Sequence, residues 1–174
     1  MTRRITLLFF LALLVVGCDP FPGEIRSVGR YVSSKAFFAD KLISHFPTET
    51  PDVSSDPVFS FSPGALQGGA WIQLRVKMDP SDIQELNRKL ENETKHKYQG
   101  GSFFTHYNLD EDNNLPTASY HTRRKDNDAR EFPQHFTLYV LHADDSGDEW
   151  NHGETCGIAV SRETNEVIYW AESW

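Results

Sequence analysis

The chain has 174 residues, of which 39% are hydrophobic and 13% aromatic, and its formal net charge at pH 7 is −8. An acidic chain repels phosphate groups, so the charge argues against a nucleic acid partner. A basic protein or a metal cation would suit this charge, although a charge of this size also serves solubility alone.

The first seventeen residues have the three-part layout of a secretory signal. Arg3 and Arg4 form a positive start, residues 5–16 contain no charge, and Gly17 precedes Cys18. Spanning the hydrocarbon core of a membrane takes about 20 apolar residues. The stretch is shorter than that, so it indicates a cleaved signal in preference to a transmembrane anchor.

The segment Leu14-Val15-Val16-Gly17-Cys18 resembles the lipobox of bacterial lipoproteins. The resemblance implies that Cys18 is the first mature residue, carries a diacylglycerol and receives an N-acyl chain such as palmitate. Two or more chains hold a protein durably on a bilayer. Asp19 resembles the retention signal of enteric-type lipoproteins, which implies an inner-membrane location facing the periplasm in preference to the outer membrane. Beyond the covalent lipid, no cofactor is predicted.

Removing residues 1–17 leaves 157 residues and changes the formal charge to −10, because Arg3 and Arg4 are lost. Residues 18–30 are predicted to be the lipidated cysteine and a short tether, and residues 31–174 one globular domain. An anionic membrane surface repels such an acidic domain, which argues against a second, electrostatic membrane contact. With Cys18 lipidated, Cys156 has no partner for an intramolecular disulfide.

In the first half of the domain, apolar spacing predicts a helix from Ser33 or Ser34 to Phe46. Residues 47–69 contain four prolines and are predicted to be irregular, with a short edge strand at Val58 to Phe61. Strict alternation over Ala70 to Met78 predicts a strand with one buried and one solvated face.

In the second half, Asp79 and Pro80 open a predicted helix that runs to about Asn92. The later strands are a weak one near residues 119–122, an apolar one over 135–142, and two over 155–162 and 167–173 that form a hairpin. The sequence therefore predicts an α+β domain with an antiparallel sheet of about four strands, two helices and a C-terminal β-hairpin.

Cys156 is a candidate nucleophile, with His142 or His152 as its base. Its position on the same strand parity as Ile158 and Val160 instead indicates a buried structural cysteine. A serine nucleophile elbow, a phosphate-binding glycine loop and a paired-cysteine metal motif are all absent from the sequence.

The acidic loop 144–151 offers oxygen ligands for a hard cation such as calcium. Its candidate ligands are Asp144, Asp145, Asp148 and Glu149. The loop lacks the regular ligand alternation and closing glutamate of an EF-hand, so a solvated acidic turn is the alternative. The histidines show no zinc-protease spacing.

The aromatic carboxyl end contains Trp170 and Trp174, which are candidate interface anchors or ordinary packing residues. Together these features favour a lipid-anchored envelope protein with a non-catalytic, protein-binding domain, for example an accessory or immunity protein against a toxin. The alternative is an envelope enzyme or metal-binding protein that uses Cys156 with His142 or His152, or the acidic loop 144–151.

Overall fold

The computed structural model describes residues 24–64, 69–101, 119–122, 131–145 and 153–173. These residues form one antiparallel sheet in the strand order β1-β2-β6-β5-β4-β3. The strands are β1 (Val58–Ser62), β2 (Ala70–Lys77), β3 (His96–Gln99), β4 (Thr137–Asp145), β5 (Gly153–Ser161) and β6 (Glu166–Ser173). The predicted class is confirmed, but six strands replace the expected four or so. The edge strand β3 was missed because it has only four residues and three of them are exposed polar ones.

The helices are α1 (Tyr31–Lys35), α2 (Asp40–Ile43) and α3 (Pro80–Glu93), with 3-10 turns at Val28–Arg30 and Val53–Ser55. The α3 prediction is confirmed. The single helix predicted up to Phe46 is wrong, because Ala39 has an extended backbone with ψ of 146° and separates α1 from α2. No helix in the described ranges has the length and apolarity needed to cross a membrane.

The C-terminal hairpin is confirmed in strand pairing. The β5 and β6 strands pair from Glu154↔Ser173 to Ser161↔Glu166, and Asn165 adopts a left-handed φ of 55° in the connecting turn. The Ser161 hydroxyl accepts a hydrogen bond from the Thr164 backbone N–H at 3.1 Å. Asparagine tolerates this backbone region better than most residues, which helps the short turn reverse the chain.

Both faces of the sheet are buried, which differs from the single buried face that the alternation of β2 predicted. The helices cover the first face, where Ile72 and Leu74 join a core with Tyr31. A second apolar cluster on the opposite face includes Trp170 and Phe136. Two polar residues of β2 on that second face, Gln73 and Arg75, are consequently buried as well.

Residues 119–122 lie on the second face, but they are not a strand as predicted. They form an irregular segment in which Tyr120 and Thr122 are buried. Tyr120 packs against Phe132, with ring centroids 5.3 Å apart. Tyr120 thus contributes to the packing of the second face although its segment does not join the sheet.

Candidate functional site

A pocket of about 420 Å³ lies beside β1, where the described chain begins. Ile25, Phe37 and Phe61 provide its apolar walls, and Arg30 lies on its lining. The rings of Phe37 and Phe61 are 5.2 Å apart, yet Phe37 remains 65% exposed. We call this feature the amino-terminal pocket; its full lining is Ile25, Arg30, Ser33, Ser34, Phe37, Phe61, Pro63 and Gly64.

The amino-terminal pocket was not predicted from sequence. The available signal was the pair Phe37 and Phe38, because adjacent residues just after a short helix cannot both point into the same core. Phe38 is buried against the sheet, and its neighbour is left at the surface. A large apolar side chain exposed on the lining of a pocket is typical of a binding surface.

Cys156 lies inside the core of the first face and is only 1% exposed. Burial raises the pKa of its thiol to about 12. The Sγ atom lies 3.9 Å from the backbone oxygen of Lys41, to which the thiol donates. The thiolate is the reactive form of cysteine, so both burial and the raised pKa oppose a nucleophilic role.

His142 and Cys156 are paired across β4 and β5, as the catalytic hypothesis required. The Nε2 atom of His142 is 3.5 Å from Oε1 of Glu154, and Lys41 forms an ion pair with the same carboxylate oxygen. The arrangement is a small charged cluster above the buried thiol. His152 lies outside the described residues.

The cation hypothesis concerns residues at the end of β4. The backbones of Asp144 and Asp145 pair with Glu154 and Gly153, whereas residues 148 and 149 lie outside the described ranges. Within those ranges, no three His, Cys, Asp or Glu side chains are grouped so as to hold a metal ion. The proposed ligands Asp148 and Glu149 therefore stay a prediction.

Trp170 is fully buried on the second face of the sheet. A Cβ atom built on Gly157 would lie 2.5 Å from its Cζ2 atom and 2.2 Å from the backbone oxygen of Tyr139. The absence of a side chain at Gly157 thus makes room for the Trp170 indole. Of the two roles considered for Trp170, interface contact and packing, its burial favours packing. Trp174 lies outside the described residues.

Gln73 holds residues 119–122 on the sheet although its own side chain is only 1% exposed. Its Oε1 atom accepts hydrogen bonds from the backbone N–H groups of His121 and Thr122, each at 2.8 Å, and from the Thr122 hydroxyl at 2.9 Å. Its Nε2 atom donates to the backbone oxygen of Ser119 at 2.9 Å. Every polar atom of this buried amide is therefore used for structure.

The same segment is held at its edge by a stack and a carboxylate. The rings of Trp71 and His121 lie 4.4 Å apart and nearly parallel, at 7°. Glu172 accepts from the backbone N–H of Ser119 at 2.9 Å and lies 3.2 Å from the Nε2 atom of His121. These contacts explain how a short irregular segment keeps a fixed position.

Arg75 is the most deeply buried cation among the described residues. Its Nη1 atom donates to the Tyr120 hydroxyl at 2.8 Å, and its Nε atom is 3.7 Å from Oε1 of Glu166. Burial raises the pKa of Tyr120, and Arg75 opposes that rise. The guanidinium thus lies between Glu166 on β6 and Tyr120 in the segment 119–122.

A serine and a histidine also meet at the hairpin, where the Nδ1 atom of His135 is 2.8 Å from the Ser161 hydroxyl. The same hydroxyl accepts from the backbone N–H of Thr164 and is itself fully buried. Because the Ser161 hydroxyl is buried and bonded within the turn, its role is structural. This pair is not predictable from the sequence, because 26 positions separate its members.

Cys18 and Asp19, the predicted lipidation and sorting residues, lie outside the described residues. Residues 24–30, the second part of the predicted tether, contact the sheet through Ile25, whose backbone forms a bridge with Phe61. Comparisons with protein-family models, with curated proteins and with solved structures find no match for this chain.

Proposed function

We propose that the chain is a lipid-anchored lipoprotein of the bacterial cell envelope, retained at the inner membrane and facing the periplasm. Acyl chains on Cys18 would connect it to the membrane, and Asp19 would retain it there. The observation that carries this proposal is the signal followed by the segment Leu14-Val15-Val16-Gly17-Cys18. Its domain, residues 31–174, would bind a protein partner in an accessory or immunity-type role.

Two observations support binding in preference to catalysis by the candidate nucleophile. The Cys156 thiol is enclosed in the core with a raised pKa, so a substrate would have to open the domain to reach it. In contrast, Phe37 and Val32 present apolar surface to the outside. The mature charge of −10 would favour a basic partner, such as a cationic toxin, through long-range attraction.

The alternative proposal is an envelope enzyme or metal-binding protein. It is favoured by one observation, the pairing of His142 with Cys156 beside Glu154. The acidic loop 144–151 would supply further oxygen ligands. Under this proposal, replacing Cys156 and His142 by alanine would abolish metal retention while the fold persists, measured by elemental analysis and circular dichroism.

Native mass spectrometry of the full-length protein, gently extracted from its own membrane, tests the leading proposal. An acylated Cys18 together with a stoichiometric protein partner would support it. A lipidated monomer carrying a metal or a small molecule would favour the alternative. The matched control is Cys18→Ala, which should lack the lipid mass and leave the membrane fraction. An unlipidated wild-type mass would refute the anchor.

A further inference from the structure

The amino-terminal pocket forms a surface at the β1 edge of the sheet. Phe37 on its lining is 65% exposed. Arg30 and Ser33 contribute polar groups to the same lining. A surface that combines apolar side chains with cations resembles, in its chemistry, the interfacial helices that lie on membranes.

The start of the described chain is fixed against this edge by three hydrogen bonds. The backbone groups of Ile25 and Phe61 exchange two of them, at 2.8 and 3.0 Å. The third joins the Ser60 hydroxyl to a carboxylate oxygen of Glu24 at 2.6 Å. The position of Glu24 relative to the pocket is therefore set by the sheet.

Covalent geometry then limits how far the pocket can be from the bilayer. Six residue steps connect Cys18 to Glu24, and a fully extended chain of that length reaches about 20 Å. If Cys18 is acylated, as proposed above, its lipid holds Glu24 within that distance of the membrane. The opposite edge strand, β3, is five strand spacings away from β1, or about 24 Å.

Exposed positive charge also lies on the pocket lining. Of the four basic side chains in residues 24–41, Arg26 is paired with Glu24, and Lys41 is paired with Glu154 on β5. Lys35 donates to the backbone oxygen of Pro47, and Arg30 lies exposed on the lining of the pocket. Basic groups next to a lipid anchor are attracted to anionic phospholipid headgroups.

We propose that this surface docks on the anionic phospholipid bilayer, with Phe37 inserted at the boundary between headgroups and acyl chains. The inference rests on the proposed lipid anchor and adds a second, protein-mediated membrane contact. It also fixes the orientation of the domain, because docking at the β1 edge leaves the β3 edge as the side farthest from the membrane. A protein partner would then meet the domain from that far side.

The test uses the full-length, lipidated protein in vesicles of phosphatidylethanolamine and phosphatidylglycerol that carry a nitroxide on the acyl chains. A Phe37→Cys variant is labelled with an environment-sensitive fluorophore, and His96→Cys on β3 is the matched control. Cys156 is buried, so wild-type protein serves to measure background labelling. We expect several-fold stronger quenching of the label at position 37 than at position 96.

Equal quenching at the two positions would overturn the docking proposal. A label at position 37 that is shielded by an added envelope protein, without nitroxide quenching, would overturn it in favour of a protein occupant. Ser33→Cys, an exposed position on the pocket lining, provides a second labelled position if Phe37→Cys does not fold. Replacing Arg30 with glutamine should reduce the quenching in phosphatidylglycerol vesicles.

Mass spectrometry of the purified protein distinguishes a failure of the docking proposal from a failure of the lipid-anchor proposal. An unacylated Cys18 refutes the anchor and removes the basis for docking. An acylated protein whose label at position 37 stays in water refutes docking alone, and the lipoprotein proposal remains.

Discussion

Replacing Gln73 with leucine should remove the contact that holds residues 119–122 on the sheet. The change leaves the backbone N–H groups of His121 and Thr122 without their acceptor, and Thr122 is fully buried. Each buried, unsatisfied donor costs about 1–3 kcal/mol. The apolar burial gained by leucine offsets a part of this. We therefore expect the free energy of unfolding to fall by about 3 kcal/mol.

Gln99→Leu is the matched control. The Gln99 amide donates to the backbone oxygens of Gln134 and Phe136, but this residue is exposed, so water can replace what is lost. The expected loss there is about 1 kcal/mol or less. Urea unfolding measures both variants, and hydrogen exchange measures the amides of His121 and Thr122. Equal destabilisation of the two variants, or unchanged protection of these amides, would refute the reasoning.

Three further predictions concern the core. Gly157→Ala should lower the free energy of unfolding by about 3 kcal/mol, because the added Cβ would clash with Trp170 and with a backbone oxygen. Gly29→Ala is the control and should change this free energy by less than about 0.5 kcal/mol; urea titrations measure both variants. Cys156 should react with a thiol reagent only as fast as the domain opens, and rapid reaction of folded protein would contradict its burial. Burial lowers the pKa of His45 from 6.5 to about 4, so unfolding takes up a proton between those pH values. The free energy of unfolding should therefore fall as the pH drops from 6.5 to 4. His45→Phe should flatten this part of the curve of stability against pH, and an unchanged slope would contradict the assignment.

The elements that the sequence predicted well have strong local patterns. The alternation over β2 and the proline at the start of α3 each define an element within a few residues. The hairpin of β5 and β6 follows from two apolar stretches separated by a polar turn. In such cases the local pattern and the tertiary structure require the same conformation.

The predictions that failed depended on contacts distant in sequence. Alternation in β2 marks Gln73 and Arg75 as solvent-facing, but partners 45 or more positions later bury both. The helix expected up to Phe46 is interrupted at Ala39, after which Leu42 and Phe46 still reach the core. A single sequence contains no signal for such partners, so it assigns the wrong environment to these residues.

Net charge is misleading for the same reason, because a sequence does not show where in the fold each charge lies. The total of −10 expected after signal cleavage argues against electrostatic membrane contact only if every charge acts at equal strength, but at physiological salt the screening length is about 8 Å. Glu154 lies on β5, three strand spacings or about 14 Å from β1, and is paired with Lys41, so its repulsion is small at a bilayer that touches the β1 edge. Arg30, on the lining of the amino-terminal pocket, lies at that contact itself. An acidic protein can therefore present a membrane-binding side where an exposed cation lies at the contact.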